Sequence, residues 1–350
     1  MKHLLWTLSV SFLFAGCAAN EAPVENEVLG APLVSDIYTA DPSAHVWADG
    51  RIYIYPSHDI NTETANTGGG SQFDMRDYIV LSMDEVGGKV TQHDVALDMA
   101  DVPWVGRQMW APDAAYKDGT YYLYFPAKDK DGVFRIGVAT SSTPEGPFTP
   151  RDKPMAGSYS IDPAVFKDGD GEHYIYFGGI WGGQLQKWAS GSFEADGSET
   201  DLGVADAPAL MPKMARLSAD MLEFAEPLRD IVINDAEGNP LLAGDTDRRF
   251  FEGTWVFERN GTYYLTYSTG DTHYLVYAIA DTPYGPFTYQ GRILEPVQGW
   301  TTHHSIFEHD EKWYLAYHDT KLSGRTHLRN VKIIALDFDE NGRIQKIDPK

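Results

Sequence analysis

Five polar side chains that could take part in acid–base or metal chemistry occupy the same position in a repeated sequence pattern. They are Asp41, Asp113, Asp162, Glu252 and His303. Carboxylates that meet in a fold shift one another's pKa values, and such crowding is typical of functional sites. Two carboxyl groups flanking a glycosidic bond suffice to hydrolyse it, because one protonates the leaving oxygen and the other activates water. Asp41, Asp162 and Glu252 are the candidates for this chemistry, in which a third acid can orient the proton donor.

Each of these residues opens a segment that is typical of a β-hairpin. Glu252 is followed by an apolar run, the turn Asn260-Gly261 and a Tyr-rich run ending at Tyr267. Asn-Gly or Asp-Gly between two β-forming runs is a strong hairpin signal. The other four copies have turns near residues 49–50, 118–119, 168–171 and 309–312. Five such units indicate radial repetition, so we predict an all-β fold, a five-bladed β-propeller whose five leading residues surround one mouth of the central channel.

A second recurrence extends the repeat beyond the hairpins. Residues 143–148 and 282–287 share the pattern Thr-Pro-x-Gly-Pro-Phe, and each follows an apolar run. We expect residues 182–249 to hold outer strands of the third blade with an inserted loop or short helix. The apolar run 331–336 is expected to close the propeller by pairing into a blade begun by the N-terminal end. Residues 33–350 are therefore predicted to form a single catalytic domain.

The composition restricts the class of partner. The chain has 51 acidic and 28 basic residues and a formal net charge of -23. Such a surface cannot supply the many phosphate contacts on which nucleic-acid binding depends, so nucleic acid is excluded as a partner. Aromatic residues make up 13% of the chain, enough to build strands and also to line a surface that binds carbohydrate.

Residues 1–17 are typical of a bacterial lipoprotein signal peptide. A basic start precedes an apolar run that is too short to span a membrane, and the run ends at Cys17, the chain's single cysteine. Residues 18–32 then form a polar, Pro-containing tether. We expect export across the inner membrane and a lipid anchor at the outer membrane, on its periplasmic or cell-surface face. Secretion without an anchor is the alternative.

Five ordered motifs carry a resemblance to a known family. They are Ala40-Asp41-Pro42, Trp110-Ala-Pro-Asp113, Ile161-Asp162-Pro163, Phe251-Glu252-Gly253 and His303-His304-Ser305. Over residues 33–340 the chain resembles glycoside hydrolase family 43, five-bladed propellers that cleave arabinose- and xylose-containing polysaccharides with inversion. The resemblance implies hydrolysis of α-L-arabinofuranosyl or β-D-xylosyl linkages by a general acid and a general base. It makes Asp41 the base, Glu252 the acid, and Asp162 the residue that orients Glu252 and raises its pKa.

The same resemblance suggests residues that bind substrate and metal. Arg329 matches the arginine that contacts the sugar at the cleavage site, and Arg325 is the alternative match. Asp113 and His304 are placed among the substrate-binding residues. His303 matches the axial histidine that contacts a calcium ion in the central channel, although the His-His pair leaves open which ring faces the axis. No organic cofactor is expected.

Aromatic side chains next to the predicted mouth are candidates for stacking under a sugar ring. They are Trp110, Trp181, Phe251 and Trp300. Packing in the core is the alternative role for each of them.

Two other functions fit a propeller of this kind. A non-catalytic glycan-binding propeller at the cell surface is one, but binding alone needs no proton donor, so three acids argue against it. A retaining glycosidase or fructosyl transferase on a related propeller is the other, and the anomeric form of the product separates it from an inverting enzyme.

The lipid anchor can be tested directly. Cys17→Ser should release the protein into the soluble fraction and abolish incorporation of labelled lipid, because the thiol that would carry the acyl groups is gone. Fractionation of cells that express each form, followed by immunoblotting, measures this. Unchanged membrane partitioning of the variant would show that the leader has been misinterpreted.

Overall fold

The computed structural model describes residue 1 and residues 30–200, 204–300 and 303–349. Its strands form five sheets around one channel, which confirms the predicted five-bladed β-propeller. The predicted signal peptide beyond Met1 and the tether up to residue 29 lie outside the described residues. Across the described ranges, no helix is long and apolar enough to cross a membrane.

Each blade is one sheet, numbered in chain order. Blade 1 contains β1 (Tyr38–Val46), β2 (Ile52–Asp59), β3 (Asp77–Tyr78), β4 (Leu81–Met83), β5 (Thr91–Gln92) and β6 (Leu97–Asp98). Blade 2 contains β7 (Val105–Met109), β8 (Asp113–Lys117), β9 (Thr120–Asp129), β10 (Phe134–Ser141) and β11 (Thr149–Pro150). Blade 3 contains β12 (Ala164–Lys167), β13 (His173–Phe177), β14 (Lys213–Arg216) and β15 (Arg229–Asp230). Blade 4 contains β16 (Ile233–Asn234), β17 (Glu252–Arg259), β18 (Thr262–Ser268), β19 (Leu275–Ala280) and β20 (Phe287–Leu294). Blade 5 contains β21 (His304–His309), β22 (Lys312–Asp319) and β23 (Asn330–Leu336). Short 3₁₀ helices span Met99–Asp101, Trp181–Gly183 and Leu185–Trp188.

The five predicted hairpins are the inner pairs of strands. Three of their turns have positive φ at both central residues: Asp118-Gly119, Asn260-Gly261 and Asp310-Glu311. This is the geometry of the tight hairpin turn whose twist matches that of the flanking strands, and it explains why Asn-Gly and Asp-Gly were informative signals.

The innermost strands form a closed ring. β1 contacts β8 and β21, β12 contacts β8 and β17, and β17 contacts β21. Hydrogen bonds involving side chains cross every junction of this ring: Ser43 to Asp113, Val165 to Asp113, Gly253 to Asp162, Trp255 to Ile306 and Ala44 to Ser305. The polar residues that head the repeats therefore also hold the ring in register.

Apolar packing between blades follows the two-residue period of the strands. In β13, Ile175 and Phe177 pack against blade 2, whereas Tyr174 and Tyr176 pack against blade 4. Each of the five junctions between blades has its own buried cluster in this way. The apolar core is therefore divided among the junctions, around a polar channel.

Two details differ from the sequence-based expectation. The C-terminal strand does not pair into a blade begun by the N-terminal end. Instead, the N-terminal segment joins the last blade, where Gly30 N–H donates to Ile333 O at 2.7 Å and Leu33 N–H donates to Val331 O at 2.9 Å. In addition, residues 182–249 do not belong to blade 3 alone, since β16 pairs in parallel with β20 of blade 4. Both differences depend on pairing between distant segments, which local patterns do not encode.

The junction between blades 3 and 4 should be sensitive to cavity formation. Leu265 is fully buried there, so Leu265→Ala should lower the free energy of unfolding by about 2–5 kcal/mol. Leu322 is 48% exposed, and Leu322→Ala, the matched control, should change it by less than about 0.5 kcal/mol. Urea unfolding of the two variants measures the difference. Equal effects would show that this junction is not well packed.

Candidate active site

The three predicted catalytic acids lie where the inner strands depart from regular β geometry. Asp41 has φ 47° and Asp162 has φ 58°, and Glu252 precedes Gly253, whose φ is 72°. The β1 pairing shifts register between Ala40 and Ser43, and the β17 pairing shifts between Glu252 and Trp255. Such bulges redirect side chains that would otherwise alternate between the two faces of the sheet. All three acids line the same cavity as a result.

Gly253 is required by space as well as by backbone angle. A Cβ atom at this position would lie 3.1 Å from Cδ2 of His303, and the positive φ is strained for any other residue. The Glu252-Gly253 pair of the sequence motif therefore has a local physical reason.

Asp41 is held in its ionised form. It is 6% exposed, and its carboxylate accepts hydrogen bonds from Arg329 Nη1 at 2.8 Å and Ser57 Oγ at 2.7 Å. Burial raises the pKa of the Asp41 carboxyl, but the charge of Arg329, together with the hydrogen bond from Ser57, outweighs this and brings the pKa to about 2. His318 also fixes the backbone here, because its Nδ1 accepts the Asp41 N–H at 3.0 Å.

Arg329 connects Asp41 to a second buried carboxylate. Its Nε and Nη2 donate to the two oxygens of Asp59 at 2.8 and 2.7 Å, and its backbone N–H donates to Asp59 at 2.9 Å. Burial lowers the pKa of Arg329, but Asp41 and Asp59 outweigh it and raise the pKa above its ordinary value. The guanidinium is therefore permanently charged and fixed in orientation, with one edge on each carboxylate.

The pKa of Asp162 is shifted in the opposite direction to that of Asp41. It is 4% exposed and accepts one backbone hydrogen bond, from Gly253 N–H at 2.9 Å. Burial, followed by the negative charges of Glu252 and Asp41, raises the pKa of the Asp162 carboxyl well above its ordinary value. Two carboxyls coupled in this way titrate as a unit, so Asp162 and Glu252 together retain a proton at a pH where Asp41 has lost its own.

Around these acids lies a cavity of about 950 Å³. Three predicted aromatic residues, Trp181, Phe251 and Trp300, form one continuous side of it, which we call the aromatic wall. Trp181 and Trp300 are stacked with ring centroids 5.6 Å apart, and Trp181 meets Phe251 edge to face at 5.1 Å. Trp110 also lines the cavity, and its Nε1 donates to Phe73 O at 2.8 Å. Broad apolar faces beside polar groups are the usual composition of a ligand-binding cleft.

Asp113 and His304 are not among the described residues that line the cavity, so the structure does not bring them together with the three acids, and their part in substrate binding stays a prediction. Asp113 lies between blades 1, 2 and 3, where it accepts hydrogen bonds from Ser43 Oγ and from the Val165 N–H. His304 is fully buried with Nε2 2.5 Å from Thr266 Oγ1. The regular strands β8 and β21 contain these two side chains and direct them into the junctions between blades.

His303 is the histidine that reaches the cavity. It is 6% exposed, neither ring nitrogen has a hydrogen-bond partner among the described residues, and Nε2 is 3.7 Å from Asp162 Oδ2. Within the described ranges, no three His, Cys, Asp or Glu side chains converge to hold a metal. Calcium takes six to eight oxygen ligands, so an ion next to His303 would have to take most of its ligands from water.

Several site residues were not identified from the sequence. Ser57, Asp59 and His318 position Asp41, and Phe73, His273 and His327 line the cavity. One sequence feature could have identified the residues that position Asp41. Two otherwise apolar strands end in polar residues, Ser57-His-Asp59 after Tyr55 and His318-Asp319 after Tyr317.

The chain is similar to known proteins in both sequence and structure. The model of the family described as glycosyl hydrolases family 43 matches residues 34–344. Xylosidase/arabinosidase 43A of Humicola insolens is 57% identical over 91% of this chain and 100% of its own length. A xylosidase/arabinosidase of Bacteroides ovatus is 54% identical over 91% of this chain and 97% of its own length. Among solved structures, a β-xylosidase/α-arabinofuranosidase from a compost microbial metagenome, in complex with xylotriose and calcium-free, is 63% identical with a TM-score of 0.90, covering 91% of this chain and 97% of that one.

The low pKa of Asp41 should depend on Arg329. The double variant Arg329→Gln with Asp59→Asn removes the guanidinium without leaving Asp59 charged and unpaired, and burial should then raise the Asp41 pKa from about 2. Because a base must be ionised, activity on the acid side should fall at a higher pH than in the wild type. The pH profile of kcat/KM between pH 3 and 8 measures this.

Asp59→Asn alone is the matched control, since it leaves Arg329 beside Asp41 and should keep the acid side of the profile low. If the double variant retains the wild-type acid limb, Arg329 does not control the ionisation of Asp41.

Proposed function

The chain belongs to glycosyl hydrolases family 43, and from that membership we propose that it cleaves β-D-xylosyl or α-L-arabinofuranosyl linkages in oligosaccharides or polysaccharides with inversion at the anomeric carbon. It is a glycoside hydrolase. The observation that carries the proposal is the pairing, in one cavity, of an ionised Asp41 with a coupled Asp162 and Glu252 pair that retains a proton. Inverting hydrolysis needs these two protonation states at the same pH.

Asp41 acts as the general base in this proposal. Its carboxylate takes a proton from a water molecule, and the oxygen of that water attacks the anomeric carbon. The hydrogen bonds from Arg329 and Ser57 keep the carboxylate ionised and orient it. They also lower its basicity, so positioning of the water has to contribute a large part of the rate.

Glu252 acts as the general acid. Both residues line the cavity, but Glu252 is half-buried whereas Asp162 is almost fully buried, so Glu252 is the more accessible carboxyl of the two. The proton retained by the pair can therefore reach the glycosidic oxygen through Glu252, and the bond between that oxygen and the anomeric carbon then breaks. Asp162 acts through Glu252: the pair keeps one proton between its two carboxyls, and when that proton is on Glu252 the negative charge on Asp162 opposes its loss to water.

The aromatic wall and Trp110 supply apolar faces for the sugar rings, and Arg329 lies at the cavity surface beside Asp41. For two relatives with 54% and 57% identity, the names state activity on both xylosides and arabinosides. This breadth supports both linkages as substrates here.

A calcium ion in the central channel belongs to the same proposal. His303 would hold the ion on the protein side, and its two unpartnered buried ring nitrogens support this. The positive charge of the ion would favour the ionised form of nearby carboxylates. We also propose that Cys17 anchors the enzyme at the outer membrane, where the substrate is a polysaccharide fragment outside the cytoplasm.

The proposed roles predict different responses to the leaving group. Glu252→Ala should reduce hydrolysis of xylotriose by about 10²–10⁴-fold. It should reduce hydrolysis of an aryl xyloside with a very good leaving group much less, because that group departs without protonation. Asp41→Ala should reduce both reactions strongly. Initial rates on the two substrates measure this, and NMR of the first product formed by the wild type should show inversion.

If Glu252→Ala loses the same factor on both substrates, Glu252 is not the proton donor. A product with retained configuration would instead identify a double-displacement enzyme. Absence of hydrolysis on xylosides and arabinofuranosides alike would contradict the proposed substrate class.

A further inference from the structure

One side of the cavity is polar and comes from loops of blades 1 and 5. We call it the polar rim; it consists of Thr64, Asn66, Arg325, Thr326 and His327. None of these residues belongs to the pair of carboxyls that performs hydrolysis or to the aromatic wall. The polar rim therefore needs a separate explanation.

Arg325 is the charged member of the polar rim, and its charge is not balanced by an acid. Its Nη1 donates to the neutral Asn61 Oδ1 at 2.8 Å. No carboxylate of the described residues lies within ion-pair distance of Arg325, although the side chain is exposed in a protein with 51 acidic residues. Arg329, four residues later, contacts two carboxylates. The charge of Arg329 is therefore compensated by carboxylates, whereas the charge of Arg325 is not.

The position of Arg325 is fixed although its head is exposed. Its backbone N–H donates to Ser323 Oγ at 2.9 Å, and its carbonyl accepts Leu328 N–H at 3.0 Å. The bond from Nη1 to Asn61 links this loop to the loop that follows β2. A guanidinium has five N–H donors in a planar fork, so with Nη1 engaged its other edge can still bind a carboxylate through two hydrogen bonds.

The rest of the cavity would repel an anion. Asp41 shares the single charge of Arg329 with Asp59, and Asp162 and Glu252 retain one proton between them, so the acids that line the cavity keep a net negative charge. The net charge of the whole chain is also negative, at -23. A substrate with a carboxylate therefore needs a compensating cation at the point where that carboxylate lies. Among the described residues that line the cavity, Arg325 is the cation whose charge remains available for this.

We propose that Arg325 forms a binding site for the carboxylate of a uronic acid branch on the substrate. The enzyme would then remove a terminal sugar next to an acidic branch, with the branch lying along the polar rim. This inference rests on the proposed function, because the carboxylate belongs to the oligosaccharide that the catalytic acids cleave.

The test compares neutral xylotriose with xylotriose that carries a glucuronosyl branch on its second sugar. Arg325→Gln should reduce kcat/KM for the acidic substrate by about fivefold, the effect of losing one partly exposed charge-assisted pair. It should change kcat/KM for neutral xylotriose by less than about twofold. Arg325→Lys, which retains charge but not the fork, should give an intermediate loss on the acidic substrate.

Arg107→Gln is the matched control, because Arg107 is exposed and does not line the cavity. Arg107→Gln changes the net charge by the same amount as Arg325→Gln. It should leave the ratio of kcat/KM for the acidic substrate to kcat/KM for the neutral substrate unchanged. Sodium chloride should reduce the factor by which Arg325→Gln lowers kcat/KM for the acidic substrate, because salt screens the attraction to Arg325, whereas repulsion by the net charge of the chain is shared by wild type and variant.

The inference would be overturned if Arg325→Gln lost the same factor on both substrates or lost nothing on either. It would also be overturned if its loss on the acidic substrate did not change with salt. These outcomes are distinct from failure of the proposed function, in which the wild type would not cleave neutral xylotriose.

Discussion

The contact of Arg329 with Asp41 and Asp59 is the interaction on which both the closure of the propeller and the state of the site depend. Asp41 and Asp59 belong to the first blade, and Arg329 directly precedes the last strand of the fifth. The Arg329 carbonyl also accepts Thr39 N–H at 2.8 Å, so the backbone and the side chain join the two blades at one point. Burying three charges is costly, and such a network often adds little net stability. Its value here is positional, because it sets the location and the charge of the carboxylate that faces the substrate.

The cavity therefore contains carboxyls whose pKa values are shifted in opposite directions. Asp41 has a permanent cation beside it, which lowers its pKa, whereas Asp162 has burial and the negative Glu252 and Asp41, which raise its pKa. The same residue type performs two tasks because its neighbours differ. The difference follows from which blade contributes each neighbour, and no local feature of the Asp-Pro motifs distinguishes the two residues.

This arrangement uses strained backbone that the remainder of the fold must tolerate. The positive φ angles of Asp41, Asp162 and Trp181 are uncommon for residues other than glycine, and each costs about 1–3 kcal/mol. Five buried clusters between blades, together with polar contacts at every junction of the inner ring, supply the compensating stability. All three of these strained residues line the cavity, where regular strands would direct their side chains into the junctions between blades.

The sequence by itself determined the repeated hairpins, their turns and hence the five-bladed architecture, because those features depend on residues that are adjacent in the chain. It also identified the residues that head each repeat and the aromatic residues close to them. Only the tertiary structure decided that Asp113 and His304 lie in the junctions, that His303 faces the cavity, and that Asp59 and Ser57 complete the surroundings of Asp41. Asp59 and Arg329 are 270 residues apart, and their contact arises only when the last blade meets the first. The chain encodes each blade locally, but charge, burial and access at the channel are set by which blades meet there.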